Sequence, residues 1–134
     1  MDTASKVLVV GGVLNLAFGL LVGALLAGLR TRNPEAEHRY LLTAHKAGLQ
    51  QGLMLLGLTW AAALSPLAAG AETLAAGLLA ASTLFLNLAA VVNWALGVRD
   101  EFKARSPGLA VGGVSAALSV PGLAILAWGV FQGL

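Results

Sequence analysis

The sequence predicts an all-α protein, an integral membrane bundle of four helices, on three observations. Of its 134 residues, 58% are apolar and only 10% are charged, against about 25% charged in an ordinary soluble domain. The 8 basic and 6 acidic residues are clustered, so that residues 7–29, 47–71, 73–98 and 106–134 carry no charge at all. Each of these runs exceeds the roughly 20 apolar residues that, at about 1.5 Å of rise each, span a hydrocarbon core of about 30 Å. Helices are therefore expected at about 7–29, 34–65, 72–98 and 107–133, forming one transmembrane domain over residues 1–134.

The first run follows Lys6 alone, is longer than a signal-peptide core and lacks a small-residue cleavage site, so it reads as a permanent helix. The second helix is expected to begin in water near Pro34, because Asn33-Pro34-Glu35 supplies a capping side chain, a proline at the first helical position and a carboxylate in the first turn. It would enter the membrane near Leu41. Ser65-Pro66 and Gly70 mark the next turn, with Glu72 in that connection. Ser106-Pro107 opens the last helix by the same capping logic. Within that helix Pro121 cannot donate to the Ala117 carbonyl, which predicts a kink, with Ser119 placed to help satisfy the freed group. Trp60 and Trp128 fall near the outer ends of their helices, and Tyr40 and Trp94 near the inner ends, as interfacial belt aromatics do.

Arg30, Arg32, Arg39 and Lys46 surround the first connection, and Arg99, Lys103 and Arg105 the third. Because cytoplasmic loops concentrate Lys and Arg, loops 30–40 and 99–106 are expected in the cytoplasm, with both termini outside a bacterial inner membrane. Glycines four apart (Gly19 and Gly23, Gly48 and Gly52, Gly108 and Gly112, Gly129 and Gly133) put small residues on one helix face. That favours tight packing within the chain and between chains.

This composition excludes a good deal. There is no room for a soluble catalytic domain, and zero cysteines exclude disulfides, thiolate metal sites and a cysteine nucleophile. A net charge of +2, confined to helix ends, does not suit nucleic acid. No Asp or Glu lies inside any charge-free run, which counts against a proton-coupled exchanger.

Polar residues inside the membrane are costly and are functional candidates by default. His45 lies about one turn inside the inner interface and shares a helix stripe with Gly48, Gly52, Leu56 and Thr59. An imidazole beside two glycines has space before it for a flat cofactor; the other reading is a histidine bonded to a neighbouring helix or to lipid headgroups. Lys46 reads as a snorkelling side chain and His38, beside Glu37 and Arg39, as a solvated one. Gln50 and Gln51 point to different faces, Gln51 about 120° around the helix from His45. In the third helix Ser82, Leu86 and Asn93 form one stripe and Thr83, Asn87 and Trp94 the next. For these Asn residues, and for Asn15, interhelical bonding worth about 0.6 to 2 kcal/mol stands beside substrate contact as an alternative.

The segment Ala44-His45-Lys46-Ala47-Gly48-Leu49-Gln50-Gln51-Gly52, running into Leu53-Met54-Leu55-Leu56-Gly57-Leu58, resembles the helix 2 signature of the small membrane isomerases that include hydroxylaminobenzene mutase and styrene oxide isomerase. Their pattern is a histidine, a glycine three residues on, then an amide and a glycine at the sixth and seventh positions. His45, Gly48, Gln51 and Gly52 fill that frame. The chain departs from it at Gln51, where the family usually has Asn, and at Val10-Gly11-Gly12, where relatives often carry a histidine between glycines. The resemblance implies a homotrimer with b-type haem between subunits. Its iron would be ligated by His45, with Gly48 and Gly52 beside the ring and the opposite iron face open to a small apolar aromatic substrate. It implies ferric Lewis-acid isomerisation of an aryl hydroxylamine or an epoxide, with Gln51, Asn87 and Asn93 as the candidates for orienting substrate. Two other readings stay open: a non-catalytic haem protein for electron transfer or anchoring, and a small oligomeric transporter.

Overall fold

The computed structural model describes residues 1–99 and 105–134; Lys103, counted above among the basic residues, lies outside them. Its elements are α1 (Thr3–Arg32), α2 (Arg39–Leu64), α3 (Ala69–Ala95) and α4 (Pro107–Gly133). All four are long and apolar enough to cross a membrane, and the architecture is the expected all-α four-helix bundle. The short connections make successive helices antiparallel. One end of the bundle gathers Arg30, Arg32, Arg39, Arg99 and Arg105 and is called the basic end below.

Each helix boundary has a chemical cause. Asp2 caps α1, accepting from the Ser5 backbone N–H at 2.7 Å and from the Ser5 hydroxyl at 3.0 Å. The Ser5 N–H first, and the hydroxyl second, hold the Asp2 carboxyl below its ordinary range. This cap therefore contributes above the ordinary aspartate pKa and is lost as pH falls through the lower folded-state value.

At the other end, α1 continues past Leu29 to Arg32, and the Asn33 N–H closes it on the Leu29 carbonyl. Residues 33–36 then form a turn, with the Ala36 N–H on the Asn33 carbonyl and Pro34 at its second position, a site that proline's fixed φ favours. This corrects the expected start of the second helix. Asn33 is engaged in ending α1 and so does not cap α2, which starts at Arg39.

α3 begins at Ala69, earlier than expected, so Glu72 lies in its first turn rather than in a loop. The Glu72 side chain is 8% exposed and its Oε1 has no hydrogen-bond partner among the described residues. At the far end Gly97 takes a φ of 64°, with the Gly97 N–H on the Trp94 carbonyl and the Val98 N–H on the Asn93 carbonyl. A left-handed glycine with these two bonds stops a helix, which is why α3 ends before residue 98.

α4 starts where Ser106-Pro107 places it, the Ser106 hydroxyl accepting from the Leu109 N–H at 3.1 Å. It runs through Pro121 as one helix. Ser119 donates to the Ala116 carbonyl at 3.2 Å, not to Ala117 as expected, because a hydroxyl reaches back most easily by one turn of three residues.

α1 packs most closely on α2 and α3 on α4; α2 meets α3 across the centre, and among the described residues α1 and α4 do not touch. In section the bundle is a rhombus with α1 and α4 at its far corners. Two apolar clusters fill it. Leu8, Leu55, Leu79 and Leu126 lie toward the termini, and Val22, Leu26, Leu41, Ala44 and Ala90 toward the basic end. Trp60 and Trp128 are exposed, as belt residues would be, whereas Tyr40 is only 4% exposed and belongs to the interior.

Candidate functional site

The α1–α2 seam is built on glycines, and it positions His45. A Cβ on Gly48 would stand 2.8 Å from Gly19 Cα, and one on Gly52 would stand 2.6 Å from the Leu16 side chain. The helices approach closely here because neither carries a side chain in the way. His45, Gly48 and Gly52 do share a face, and in the single chain α1 packs against the two glycines, which serve the close approach of the helices.

His45 reaches across the same seam. Its Nδ1 is 2.7 Å from the Gly19 carbonyl oxygen, and the ring has room because a Cβ on Gly23 would sit 2.6 Å from that nitrogen. A carbonyl can only accept, so Nδ1 carries a proton, and in the neutral ring it is Nε2 that holds the lone pair. Nε2 has no hydrogen-bond partner among the described residues and is not enclosed, the side chain being half-buried. A carbonyl on one ring nitrogen with the other left accessible is the arrangement that orients metal-ligating histidines. Among the described residues no three His, Asp or Glu side chains converge to hold a metal ion. Among these residues His45 would therefore contribute a single protein ligand.

The candidate amides lie elsewhere. Asn15 donates to the Gly11 carbonyl and to Thr83 Oγ1, each at 2.8 Å, and accepts from Asn87 Nδ2 at 2.6 Å. Thr83 passes its own proton to the Ala80 carbonyl at 2.7 Å. This chain ties α1 to α3 at mid-depth, between the two apolar clusters. Asn87 Oδ1 is buried without a partner among the described residues. Asn93 Oδ1 accepts from the Gly108 N–H at 3.1 Å, satisfying one of the orphan donors at the start of α4.

Gln51 is half-buried and is placed by register. Leu55 and Ala80 both crowd the position a Cβ on Gly11 would take, at 3.1 and 3.2 Å. Gln51 lies one turn from Leu55, and Asn15 one turn from Gly11, in the same direction along the bundle. Gln51 is therefore level with the Asn15–Thr83 bond, and about 120° around α2 from His45.

In the single chain Asn87 and Asn93 are bonded to partners other than His45. The physical reason is that a carboxamide in an apolar bundle bonds the nearest backbone or side-chain partner on the facing helix. For Asn87 and Asn93 those partners are Asn15 and Gly108. Nothing local in the sequence announces pairs so distant along the chain.

At the basic end His38 is half-buried rather than solvated, and its Nδ1 accepts a long 3.5 Å bond from Trp94 Nε1. The two line a cavity of about 640 Å³ with Tyr40, Glu35, Glu37 and Arg99. A second cavity, of about 460 Å³, opens between α1 and α2 and is lined by Arg30, Arg39, Glu37, His38 and Leu42. Compared with known proteins, the chain matches no family model, no curated protein and no solved structure.

Proposed function

We propose that the protein is a haem-dependent membrane isomerase that rearranges a small aromatic hydroxylamine or epoxide, with His45 as the residue that would hold the haem iron. The observation that carries this reading is the Nδ1 bond to the Gly19 carbonyl, which fixes the ring and leaves the Nε2 lone pair accessible. The residues present fit b-type haem as a single-imidazole site. Bound ferric haem would supply an electrophilic iron able to polarise a C–O or N–O bond without net electron transfer.

The chain's own contribution is then to hold and to exclude. Gly19 sets the tautomer and the orientation of His45. Gly23 leaves room for the ring. The exposed apolar side chains around the bundle support a site within lipid, where a small aromatic substrate would partition and water is scarce. His45 is half-buried in the single chain, so a flat group held there would also be covered by a second copy, and the homotrimer is the assembly that the resemblance implies. With the basic end in the cytoplasm, the site lies one turn inside the inner interface.

A purely electron-transferring haem protein would need a second axial ligand. Met54 is the methionine nearest His45, and nine residues along the same helix put it about 13 Å away. Met54 is therefore too far to act as a second ligand to a metal held by His45 of the same chain. The test is to incubate the purified protein with styrene oxide, and separately with phenylhydroxylamine, in the absence of reductant. Products of unchanged mass, formed only with the protein, are expected. Conversion that requires added electrons, or none with either compound, would contradict the reading.

A further inference from the structure

α2 packs against α1, α3 and α4, and one of its faces is left pointing out of the bundle. Lys46, Gln50, Leu53, Trp60 and Leu64 are all exposed and recur at steps of three, four and seven residues, which is one face of a helix. Gly48, two residues from Gln50 and so about 200° around the helix, lies on the opposite side against α1. Leu53, Trp60 and Leu64 make the outward face apolar, and Gln50 sets a carboxamide in it.

Gln50 makes no side-chain hydrogen bond among the described residues. Thr43, also exposed, turns its hydroxyl back to the Arg39 carbonyl at 3.0 Å. α2 is long and apolar enough to cross a membrane, and counting along it puts Gln50 nine residues from Leu41 and fourteen from Leu64, about 13 and 21 Å. At that depth a span meets neither water nor the ester groups of lipids, which lie at the edges of the hydrocarbon. An amide left unmet there is costly, and polar side chains in spans are satisfied by bonding across to another helix. Gln50 faces away from the helices of its own chain, so its partner comes from outside.

We infer that this face of α2 is where copies of the chain meet, with their Gln50 carboxamides hydrogen-bonded to one another around an axis normal to the membrane. A carboxamide carries a positive N–H end and a negative oxygen, so it is complementary in charge to a second copy of itself. Copies of one chain insert in one orientation, which brings Gln50 to the same depth in each. A cyclic assembly then sets the same patch of every copy about its axis. Leu53, one turn farther along, flanks the amides with apolar surface. A single amide in an apolar helix seam fixes the register of the helices that share it. Lys46, one turn toward the basic end, reaches out to water there and lies beyond the seam. The seam is about 140° around α2 from His45, and the inference does not rest on the haem reading.

The chain has no cysteine, so one introduced thiol reports on one position. Leu53→Cys and, as control, Leu84→Cys on α3 are oxidised in membranes with copper phenanthroline; the two leucines are 64% and 62% exposed. Leu53→Cys should give a disulfide-linked species of twice the chain mass, and Leu84→Cys should not. Sedimentation of the otherwise unaltered full-length chain in detergent then measures the strength of self-association. Gln50→Leu should weaken it about threefold to tenfold, the worth of an interhelical amide bond in a membrane, and Gln50→Asn should keep part of it. Because Gln50 bonds nothing in its own chain, the helix content of Gln50→Leu by circular dichroism should be unchanged. Linkage at Leu84 equal to or above that at Leu53, or association that Gln50→Leu does not weaken, overturns the inference. An adduct of any other mass at Leu53 assigns the face to a different membrane protein and overturns it too.

Discussion

His45→Ala should yield a folded, colourless protein: the Soret band is lost and isomerisation falls to the uncatalysed rate. Among the described residues the ring makes one hydrogen bond, to the Gly19 carbonyl, and the loss of such a bond costs about 1 kcal/mol. That is too little to unfold a bundle whose two apolar clusters do not include His45. The loss of colour therefore reports ligation rather than collapse. The comparison is His38→Ala. His38 sits at the basic end with its Nδ1 already committed, weakly, to Trp94, and its removal should leave the spectrum unchanged. If the two variants behave alike, the imidazole assignment fails.

Gly48→Ala should be the most damaging small change in the fold. The added Cβ would meet Gly19 Cα at 2.8 Å and Gly19 N at 2.9 Å. These are backbone atoms, so the clash is relieved only by parting α1 from α2. Overpacking of this kind costs about 1 to 3 kcal/mol, read as a fall in the melting temperature of the purified protein. Parting the helices also draws the Gly19 carbonyl away from His45, so haem retention should fall with stability. Gly57→Ala is the control. It lies on the same helix with nothing within 4 Å of its added Cβ, and because alanine favours a helix over glycine by about 1 kcal/mol, its melting temperature should hold or rise.

The spans were legible because removing charge is the one thing a membrane demands of every residue in a crossing segment. Ser106-Pro107 was legible because a capping hydroxyl followed by proline has few other uses. Asn33-Pro34 misled for the opposite reason: the same residues that can start a helix also make a turn, and the choice was made by how far α1 runs. The stripe of His45, Gly48 and Gly52 was correctly placed on one face, yet periodicity does not say what stands opposite a glycine. Here it is another glycine helix. The partners of Asn15, Asn87 and Asn93 were hidden because they join segments far apart in sequence. The partner of His45 was hidden more deeply still, since a main-chain carbonyl leaves no residue type to read.

The most direct measurement of the central claim is the absorption spectrum of the ferric protein, purified from haem-replete cells, as imidazole is added. If His45 holds the iron and leaves a ligand position open, the Soret band should be present and should shift as the added imidazole binds. A preparation without the band, or a band that imidazole does not move, would contradict the account.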